Sequence, residues 1–315
     1  MAPRHPAFPL DIEILRYLTR AGYARPDAVV AWTGASAWGV RKAYRRLADQ
    51  GLVRADPVPL DLRDGRGAVR ATVATAWTAT GRGANSLGAH HVPGTEHYVE
   101  LGPPRVGPAM ARHTVGAAGL AAAYRRAGFQ VAFERDVVAL ERPTVIGARQ
   151  LGVIGAWTVQ VTPTMRGVRP PDLGVMRDGQ KYVVELERTT NRSASDYTEI
   201  VSAWAGAGFG QVWHVERERT WKQLLAGMEA AGIRLRGTGT AGVAATEDGS
   251  VRVAGWVPGR VLAGPATWAP TPGELIPPAG FAPPAEPVVL DSWRQGTVVN
   301  PDAAVWEPVR MIQAA

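Results

Sequence analysis

The segment Arg169–Thr190 constrains the fold of this chain more than any other part of its sequence. Two runs rich in β-forming residues, Leu173–Arg177 and Tyr182–Leu186, flank an Asp-Gly pair. Short β-forming runs on either side of Asp-Gly are typical of a hairpin that is closed by a tight turn. We therefore predict a β-hairpin here, with Asp172 at its open end.

The second predicted strand carries a glutamate at two alternate positions. Because side chains alternate between the faces of a strand, Glu185 and Glu187 share one face, while Val184 and Leu186 share the other. Together with Asp172, they predict three carboxylates at one end of a small sheet. Two interpretations of these residues stay open: a cluster that holds a divalent cation, or a solvent-exposed strand face with Asp172 capping a turn.

The charge balance narrows the choice of partner. The 315 residues include 35 Lys and Arg against 28 Asp and Glu, and the isoelectric point is near 10.1. The lysines are only Lys42, Lys181 and Lys222, so the basic character is almost entirely arginine, which suits contacts with phosphates and base edges. This predicts a polyanionic partner, most simply nucleic acid. An arginine-rich composition also accompanies sequences rich in Ala, Gly and Pro, and that interpretation stays open.

Composition also excludes several classes of protein. The chain has no cysteine, which excludes disulfides, thiolate metal sites and cysteine nucleophiles. Its first residues lack the apolar core of a signal peptide, and there is no apolar run of about 18 residues anywhere. We therefore expect a soluble cytoplasmic protein that does not enter a membrane. The length allows two domains of ordinary size, each with its own core.

Apolar spacing in the N-terminal part predicts three helices, at Leu10–Ala21, at Asp27–Trp32 and from Ser36 to about Gln50. Ser36 is placed to cap the third helix. A strand at Leu52–Arg54, an Arg- and Gly-rich tip at Arg63–Gly67 and a return strand at Ala68–Thr78 follow. Helices joined by a tight turn and followed by two strands are typical of a winged helix-turn-helix, which we assign to residues 8–88.

Two motifs in this part resemble the MarR-type winged-helix family. LADQGLV at 47–53 matches the family's exit from the third helix, and AWTATGRG at 76–83 matches its closing strand, with a departure at Thr78–Thr80. The resemblance implies that the third helix enters the major groove of double-stranded DNA and that the wing holds the neighbouring backbone or minor groove. The DNA-binding residues are then Ser36, Ala37, Trp38, Arg41, Lys42 and Arg45 on the helix and Arg63, Arg66 and Arg70 on the wing.

Other interpretations of the third helix stay open. Basic runs are usually solvated helix faces, and Arg41, Lys42, Arg45 and Arg46 fit that description as well. DNA contact is favoured because the run coincides with the winged-helix motif. Trp38 packs as easily on a partner subunit or into the core as against a base.

Residues 89–108 are interpreted as a linker, because Pro and Gly are frequent there. They contain His90, His91 and His97. These histidines do not predict a metal site, since a flexible loop has no fixed geometry and their spacing matches no common zinc pattern.

Residues 109–237 alternate between helical and strand patterns. Around the hairpin, helices are predicted at Ala109–Ala127, Ser195–Trp204 and Arg217–Ala231, an alternating piece lies at Trp157–Val161, and strands are predicted at Gln130–Asp136, Gln211–Val215 and Ile233–Arg236. This order predicts a mixed sheet with helices on its faces. His113 at a helix start and His214 in a strand are expected to be packing residues rather than acids or bases.

Residues 238–315 are dense in Pro and Gly, yet they include Trp256, Trp268, Trp293 and Trp306. Pro and Gly resist regular structure, whereas tryptophan is too apolar for a fully solvated tail. We expect an extended C-terminal arm that packs on this chain or on a protein partner.

The order of helix, strand, Asp172, hairpin, helix and strand resembles the PD-(D/E)xK nuclease core. The resemblance implies that Asp172 and Glu185 bind a Mg²⁺ or Mn²⁺ ion and form, with Glu187, a catalytic cluster. Glu187 stands where that family has lysine, so a positive charge near the nucleophile is missing and a third carboxylate replaces it. A non-catalytic interpretation has Arg188 pairing with Glu185 and fixing the hairpin against the next helix.

Taken together, residues 10–235 resemble the replication-relaxation family of actinobacterial plasmids, integrative elements and phages. The specific parts are RPPD at 169–172 and VELERTT at 184–190, followed by GQVWHVERERT at 210–220. The resemblance implies an α+β protein in which a winged helix-turn-helix precedes a PD-(D/E)xK-like domain and the C-terminal arm. It also implies DNA binding in the replication or transcriptional control of a mobile element.

Three functions follow from these patterns. The leading hypothesis is a dimeric, sequence-specific DNA-binding protein that uses its second domain for DNA contact or dimerisation. The alternative is a metal-dependent DNA nuclease or nicking enzyme with Asp172, Glu185 and Glu187 as its acidic cluster. The third is a scaffold whose tryptophan-bearing arm recruits a replication or conjugation partner.

Overall fold

A computed structural model of the chain describes residues 8–63, 69–141, 156–161, 167–188, 191–215, 217–236, 243–247 and 250–254. These residues form eight helices together with antiparallel and parallel strands, which confirms the predicted α+β class. Arg66 of the predicted wing tip and the side chains of Arg63 and Arg70 lie outside the described residues. So do the four tryptophans of the predicted arm, Trp256, Trp268, Trp293 and Trp306.

The N-terminal part consists of α1 (Pro9–Ala21), α2 (Pro26–Thr33), α3 (Ala37–Asp49), β1 (Val53–Arg63) and β2 (Val69–Ala79). Local sequence explains where the helices begin and end. Proline opens α1 and α2, where its missing N–H costs nothing. Gly34 ends α2 in the left-handed conformation, with φ of 66°. Ser36 Oγ accepts a hydrogen bond from the Gly39 N–H at 3.1 Å and caps α3. All three predicted helices are confirmed.

The two strands that follow form an antiparallel ribbon. The ribbon runs from the Val53–Ala79 pair to the Arg63–Val69 pair. The first strand is longer than the predicted Leu52–Arg54 and includes Pro57 and Pro59. Both strands of a two-stranded ribbon are edge strands, and proline is tolerated in an edge strand. The half of the ribbon nearest α3 packs on the body of the protein through Val58 and Ala76.

The predicted linker, residues 89–108, is partly ordered. After the short helix α4 (Gly81–Ala84), the strands β3 (His90–His91) and β4 (Tyr98–Val99) pair with each other. His90 is buried, and its Nε2 lies 2.9 Å from Asp136 Oδ1. The expectation that these histidines lack fixed geometry is therefore wrong for His90, because a buried carboxylate holds it.

The rest of the described chain forms a mixed sheet with helices against it. Its helices are α5 (Pro108–Arg126), α6 (Glu134–Glu141), α7 (Ala194–Gly206) and α8 (Glu218–Ala230). Its strands are β5 (Gln130–Phe133), β6 (Val159–Val161), β7 (Gly167–Arg169), β8 (Leu173–Arg177), β9 (Gln180–Glu187), β10 (Gly210–Val215), β11 (Val243–Ala245) and β12 (Val251–Ala254). Six of these strands form one sheet in the order β11-β12-β10-β9-β8-β5. The pairs β5·β8, β8·β9 and β11·β12 are antiparallel, and β9·β10 and β10·β12 are parallel. The predicted mixed sheet is confirmed.

The predicted hairpin is also confirmed, as β8 and β9. Its turn is formed by Asp178 and Gly179, whose φ values are 51° and 78°. Two successive residues with positive φ are the geometry that Asp-Gly favours in a two-residue hairpin turn.

Three predictions in this part are wrong at named positions. The strand expected to continue to Asp136 ends at Phe133, because Asp136 accepts the Phe133 N–H at 2.9 Å in the manner of a helix capping box and starts α6. The strand expected at Ile233–Arg236 is reduced to one bridge between Arg236 and Ala245. The arm expected from residue 238 contributes β11 and β12 to the sheet before the described residues end.

One apolar cluster connects the N-terminal helices to the sheet. It contains Leu15, Leu18 and Leu47 from the first part and Leu120 and Leu186 from the second. Polar contacts cross the same boundary. Tyr17 donates to the Ala118 carbonyl at 2.7 Å, Arg125 pairs with Glu13 at 2.6 Å, and Arg20 pairs with Asp136 at 2.7 Å. The two predicted domains therefore share a core.

The Arg20–Asp136 pair gives a stability prediction. Both side chains are buried, at 1% and 0% exposed, so Arg20→Met leaves a carboxylate in the core without its cation. We expect the free energy of unfolding to fall by about 3–5 kcal/mol, measured by urea denaturation. The matched control is Arg236→Ala, which removes an exposed pair with Glu247 and should cost less than about 1 kcal/mol. Equal losses in the two variants would contradict the prediction.

Candidate functional site

The predicted acidic cluster lies at the end of the hairpin, next to α5. Asp172 directly precedes β8, and the two glutamates end β9. Val184 and Leu186 belong to the apolar cluster shared with the N-terminal helices, so the alternation of faces along β9 follows the prediction. Glu185 and Glu187 are buried, at 1% and 3% exposed, and the interpretation as a solvent-exposed strand face is wrong.

Asp172 is held by an imidazole and a backbone amide. Its Oδ1 lies 3.0 Å from His113 Nε2, and its Oδ2 accepts the Leu186 N–H at 2.7 Å. Burial raises the pKa of Asp172, but the charge and hydrogen bond of His113 outweigh it, so this pKa lies below its ordinary value. Burial lowers the pKa of His113, and Asp172 in turn leaves it above its ordinary value.

His113 therefore belongs to the site, although it was expected to be a packing residue without a partner. It lies in the second turn of α5, and its side chain is 22% exposed. Its partner is 59 positions away in the sequence. Sequence reasoning missed the pair because no local pattern relates a helix residue to a strand that follows so much later.

Arginines neutralise the two glutamates. Arg169 Nη2 donates to Glu185 Oε2 at 2.5 Å and lies 4.0 Å from Glu187 Oε1. Arg192 forms an ion pair with the same Glu187 oxygen. Arg169 is the first residue of the RPPD motif. This short motif therefore supplies both the acid Asp172 and the arginine that pairs with Glu185.

Arg188 has a different role from the predicted one. Its Nη1 donates to the backbone carbonyl of Arg112 in α5 at 2.7 Å, while Arg169 is the cation beside Glu185. The predicted pairing of Arg188 with Glu185 is therefore replaced by a link to the long helix. Arg188 follows Glu187 on β9 and so points to the opposite face of the strand.

This arrangement does not fit a divalent cation. Such a site needs several carboxylate oxygens that are free to converge on one point. Here Asp172 is bonded to His113 and to a backbone amide, and both glutamates pair with arginines. Within the described parts of the chain, no group of three or more His, Asp or Glu side chains has a metal-binding arrangement. The residues thus depart from the Mg²⁺ or Mn²⁺ site that the nuclease resemblance implies at Asp172 and Glu185.

Glu185 keeps one oxygen outside this network. Its Oε1 is buried and has no hydrogen-bond partner among the described residues. Burial raises the pKa of Glu185 to about 7, against the opposing charges of Arg169 and Arg192 and with a contribution from Asp172. The carboxyl group therefore gains and loses its proton near neutral pH.

The second candidate surface is the outer face of α3. The inner face is buried as predicted, through Val40, Ala43, Tyr44 and Leu47. The outer face exposes Ala37, Trp38, Arg41, Lys42 and Arg45. Trp38 is 65% exposed, and Lys42 Nζ lies 5.1 Å from the centroid of a Trp38 ring. The interpretation of Trp38 as a core residue is therefore wrong.

Arg46 differs from the other basic residues of α3. It forms an ion pair with Asp11, a buried residue of α1, and its guanidinium lies 4.5 Å from the ring centroid of Phe8. The interpretation of the whole basic run as one solvated face is wrong for this residue. Asp11 turns Arg46 toward the body of the protein, whereas Arg41, Lys42 and Arg45 stay outside.

Comparisons with known proteins identify no relative of this chain. No protein-family model, no curated protein and no solved structure matches it. The resemblances given above therefore rest on the quoted motifs. In the described residues there is no helix that combines the length and the apolar character needed to cross a membrane.

The environment of Glu185 predicts a pH-dependent stability. The folded carboxyl group has a pKa of about 7 and holds a proton that an ordinary glutamate with a pKa of 4.5 has released. Its contribution to stability is therefore complete below pH 4.5 and is lost as the pH rises through about 7. We expect Glu185→Gln to flatten the decline in unfolding free energy between about pH 5 and pH 8 by on the order of 1 kcal/mol or more. Urea denaturation at a series of pH values measures this.

The control for this experiment is Glu229→Gln, which changes an exposed glutamate of α8. This variant should keep the pH profile of the wild-type protein. The pKa of His113 is also raised, so its contribution to stability is likewise lost as the pH rises. Some decline in the free energy of unfolding should therefore remain in Glu185→Gln. An unchanged profile in Glu185→Gln would contradict the assignment.

Proposed function

We propose that this chain is a double-stranded DNA-binding protein in which α3 is the recognition helix and the β1·β2 ribbon is the wing. The observation that carries the proposal is the division of charge on α3. Arg46 is neutralised by Asp11 on the inner side. Arg41, Lys42 and Arg45 are exposed together on the outer side and form no ion pair with any other described residue.

Uncompensated cations on a helix favour a polyanionic ligand. A helix of thirteen residues is about 20 Å long, which suits insertion into a major groove. Helix α3 packs on the ribbon through its inner face, where Tyr44 stacks on Trp77 of β2 with the ring centroids 4.3 Å apart. The ribbon that could act as a wing is therefore packed directly against the helix that carries the charges.

We propose a non-catalytic role for the sheet and its acidic cluster. The likeness to a PD-(D/E)xK core is supported by the order α5, β5, β8, β9, α7, β10, in which α6, β6 and β7 are inserted between β5 and β8. The arginines beside Glu185 and Glu187 weigh against cleavage. We propose that this part of the protein contributes DNA contact or dimerisation, and that the protein binds as a homodimer because one recognition helix makes few base contacts. A role in the replication or transcriptional control of a mobile element rests on the RPPD and VELERTT motifs.

The first test is a mobility-shift titration with DNA from around the gene and with random duplex. Arg41→Ala combined with Arg45→Ala should weaken binding by at least about tenfold. If both side chains contact phosphates, the slope of log affinity against log salt concentration should decrease by about two. Absence of any preference over random duplex would contradict sequence-specific binding.

The matched control removes the same charge at a distance from α3. Arg219 and Arg234 are exposed, and they lie in and just after α8. The variant with both changed to Ala should bind DNA nearly as the wild type does. Circular dichroism should show that both double variants are folded. Equal effects of the two double variants would mean that net charge, and not the face of α3, determines binding.

A metal-dependent DNA nuclease is the alternative function, and the order of the sheet elements favours it. We expect supercoiled plasmid to stay intact when the protein is added with Mg²⁺ or Mn²⁺, because the carboxylates are already neutralised. Gel electrophoresis of the plasmid measures this. Cleavage that is abolished by Asp172→Ala but kept in Glu229→Gln would contradict the expectation and support the nuclease.

A further inference from the structure

Among the described tryptophans, Trp38 is the one that the fold leaves largely exposed to solvent. Other described tryptophans, namely Trp32, Trp157, Trp204, Trp213 and Trp221, are at most 4% exposed, and Trp77 stacks on Tyr44. Trp38 is 65% exposed. It is not needed to start α3, because Ser36 provides the cap. An indole that is exposed without a structural role is a candidate for contact with a ligand.

The charges around Trp38 restrict what this ligand can be. Arg41, Lys42 and Arg45 share its exposed face. A second copy of the chain that docked through this face would bring the same cations opposite each other, and like charges across an interface disfavour binding. A polyanion is instead attracted. The ligand that fits therefore offers an apolar group within a field of negative charge.

Double-stranded DNA has one such group in its major groove. The base edges there offer hydrogen-bond donors and acceptors, and thymine alone adds an apolar 5-methyl group. Trp38 is the second residue of α3, and the N-terminal residues of a recognition helix are the ones that approach base edges. The cations one and two turns further along the helix are placed to hold the flanking phosphates.

Lys42 gives the indole a defined orientation. Its ammonium lies over a Trp38 ring at 5.1 Å from the centroid, which is within the range of a cation–π interaction. An exposed side chain that is already oriented loses less conformational entropy on binding. The pair therefore presents the remaining indole surface as a preformed apolar contact.

We propose that Trp38 contacts the 5-methyl group of a thymine in the major groove and makes the protein select duplexes with thymine at that position. This inference rests on the DNA-binding function proposed above. It adds the base that is selected and the residue that selects it.

The test uses the full chain and a duplex that the wild-type protein selects from a random-sequence library. In that duplex each thymine is replaced in turn by deoxyuridine, which keeps the base pair but lacks the methyl group. We expect one position at which the replacement weakens wild-type binding by about fourfold, the value of one buried methyl group. Trp38→Ala should bind the thymine and uracil duplexes equally. Trp38→Phe should keep part of the preference, because it keeps an apolar ring.

Each other outcome overturns the proposal in a distinguishable way. If no duplex is enriched, sequence-specific DNA binding fails, and the thymine contact fails with it. If a duplex is enriched but uracil replaces thymine without effect, or if Trp38→Ala keeps the methyl preference, DNA binding stands and the thymine contact is refuted. An equal loss for both duplexes in Trp38→Ala would assign the indole to the sugar–phosphate backbone. Conversion of a dimer to a monomer by Trp38→Ala, seen in sedimentation, would assign it to a protein interface. Circular dichroism melting checks that Trp38→Ala is folded.

Discussion

Asp136 is a fully buried carboxylate, and the groups that hydrogen-bond to it fix the relative positions of several elements. Arg20 donates to it through Nε and Nη2, His90 Nε2 lies 2.9 Å away, and the Phe133 N–H completes the set. Burial alone would raise the pKa of Asp136, but Arg20 and His90 hold it well below the ordinary value. The same arginine also donates to the Val131 carbonyl of β5. A buried charge of this kind tolerates little displacement of its partners, so α1, β3, β5 and the start of α6 keep one relative position.

The acidic cluster at the open end of the hairpin solves the same physical problem. Three carboxylates that lie close together, two of them buried, repel each other unless positive charges or hydrogen-bond donors accompany them. Here Arg169 pairs with Glu185, Arg192 pairs with Glu187, and His113 hydrogen-bonds to Asp172. Burial raises the pKa of Glu185 to about 7, and the charges of Arg169 and Arg192 offset only part of this rise.

The features that sequence predicts well are those in which a few neighbouring residues decide the conformation. Asp178–Gly179 fixes the hairpin because both residues accept positive φ, and Ser36 fixes the start of α3 because its hydroxyl reaches a free amide. The alternation along β9 likewise predicts which side chains face the apolar core. In each case the conformation is determined by interactions between neighbouring residues, so the rest of the sequence does not change it.

The features that sequence misses depend on partners that are distant in the chain. Arg20 and its partner Asp136 are 116 positions apart in the sequence, and His113 and its partner Asp172 are 59 positions apart. Strand β12 lies in a Pro- and Gly-rich region that predicts no regular structure, yet β10 offers it a free edge for parallel pairing. The alternation of apolar residues before Asp136 predicts a strand that continues to this residue. It gives no indication that Asp136 accepts the Phe133 N–H and starts α6. A buried glutamate beside an arginine has the same local sequence pattern as an exposed glutamate on a strand face. The burial of Glu185 and Glu187 is therefore visible only in the folded structure.

The rigid connection between α3 and the sheet has a consequence for the proposed DNA binding. Arg46 ties α3 to Asp11 of α1, and Arg20 of the same helix ties α1 to Asp136 beside the sheet. A recognition helix on a flexible tether searches for its site independently of the rest of the chain, whereas here any duplex held by α3 meets the remaining surface at a fixed angle. Contacts made by that surface then add to affinity without a further cost of ordering a linker. In a homodimer, the same rigidity would convert the geometry of the subunit interface directly into the spacing of the two half-sites.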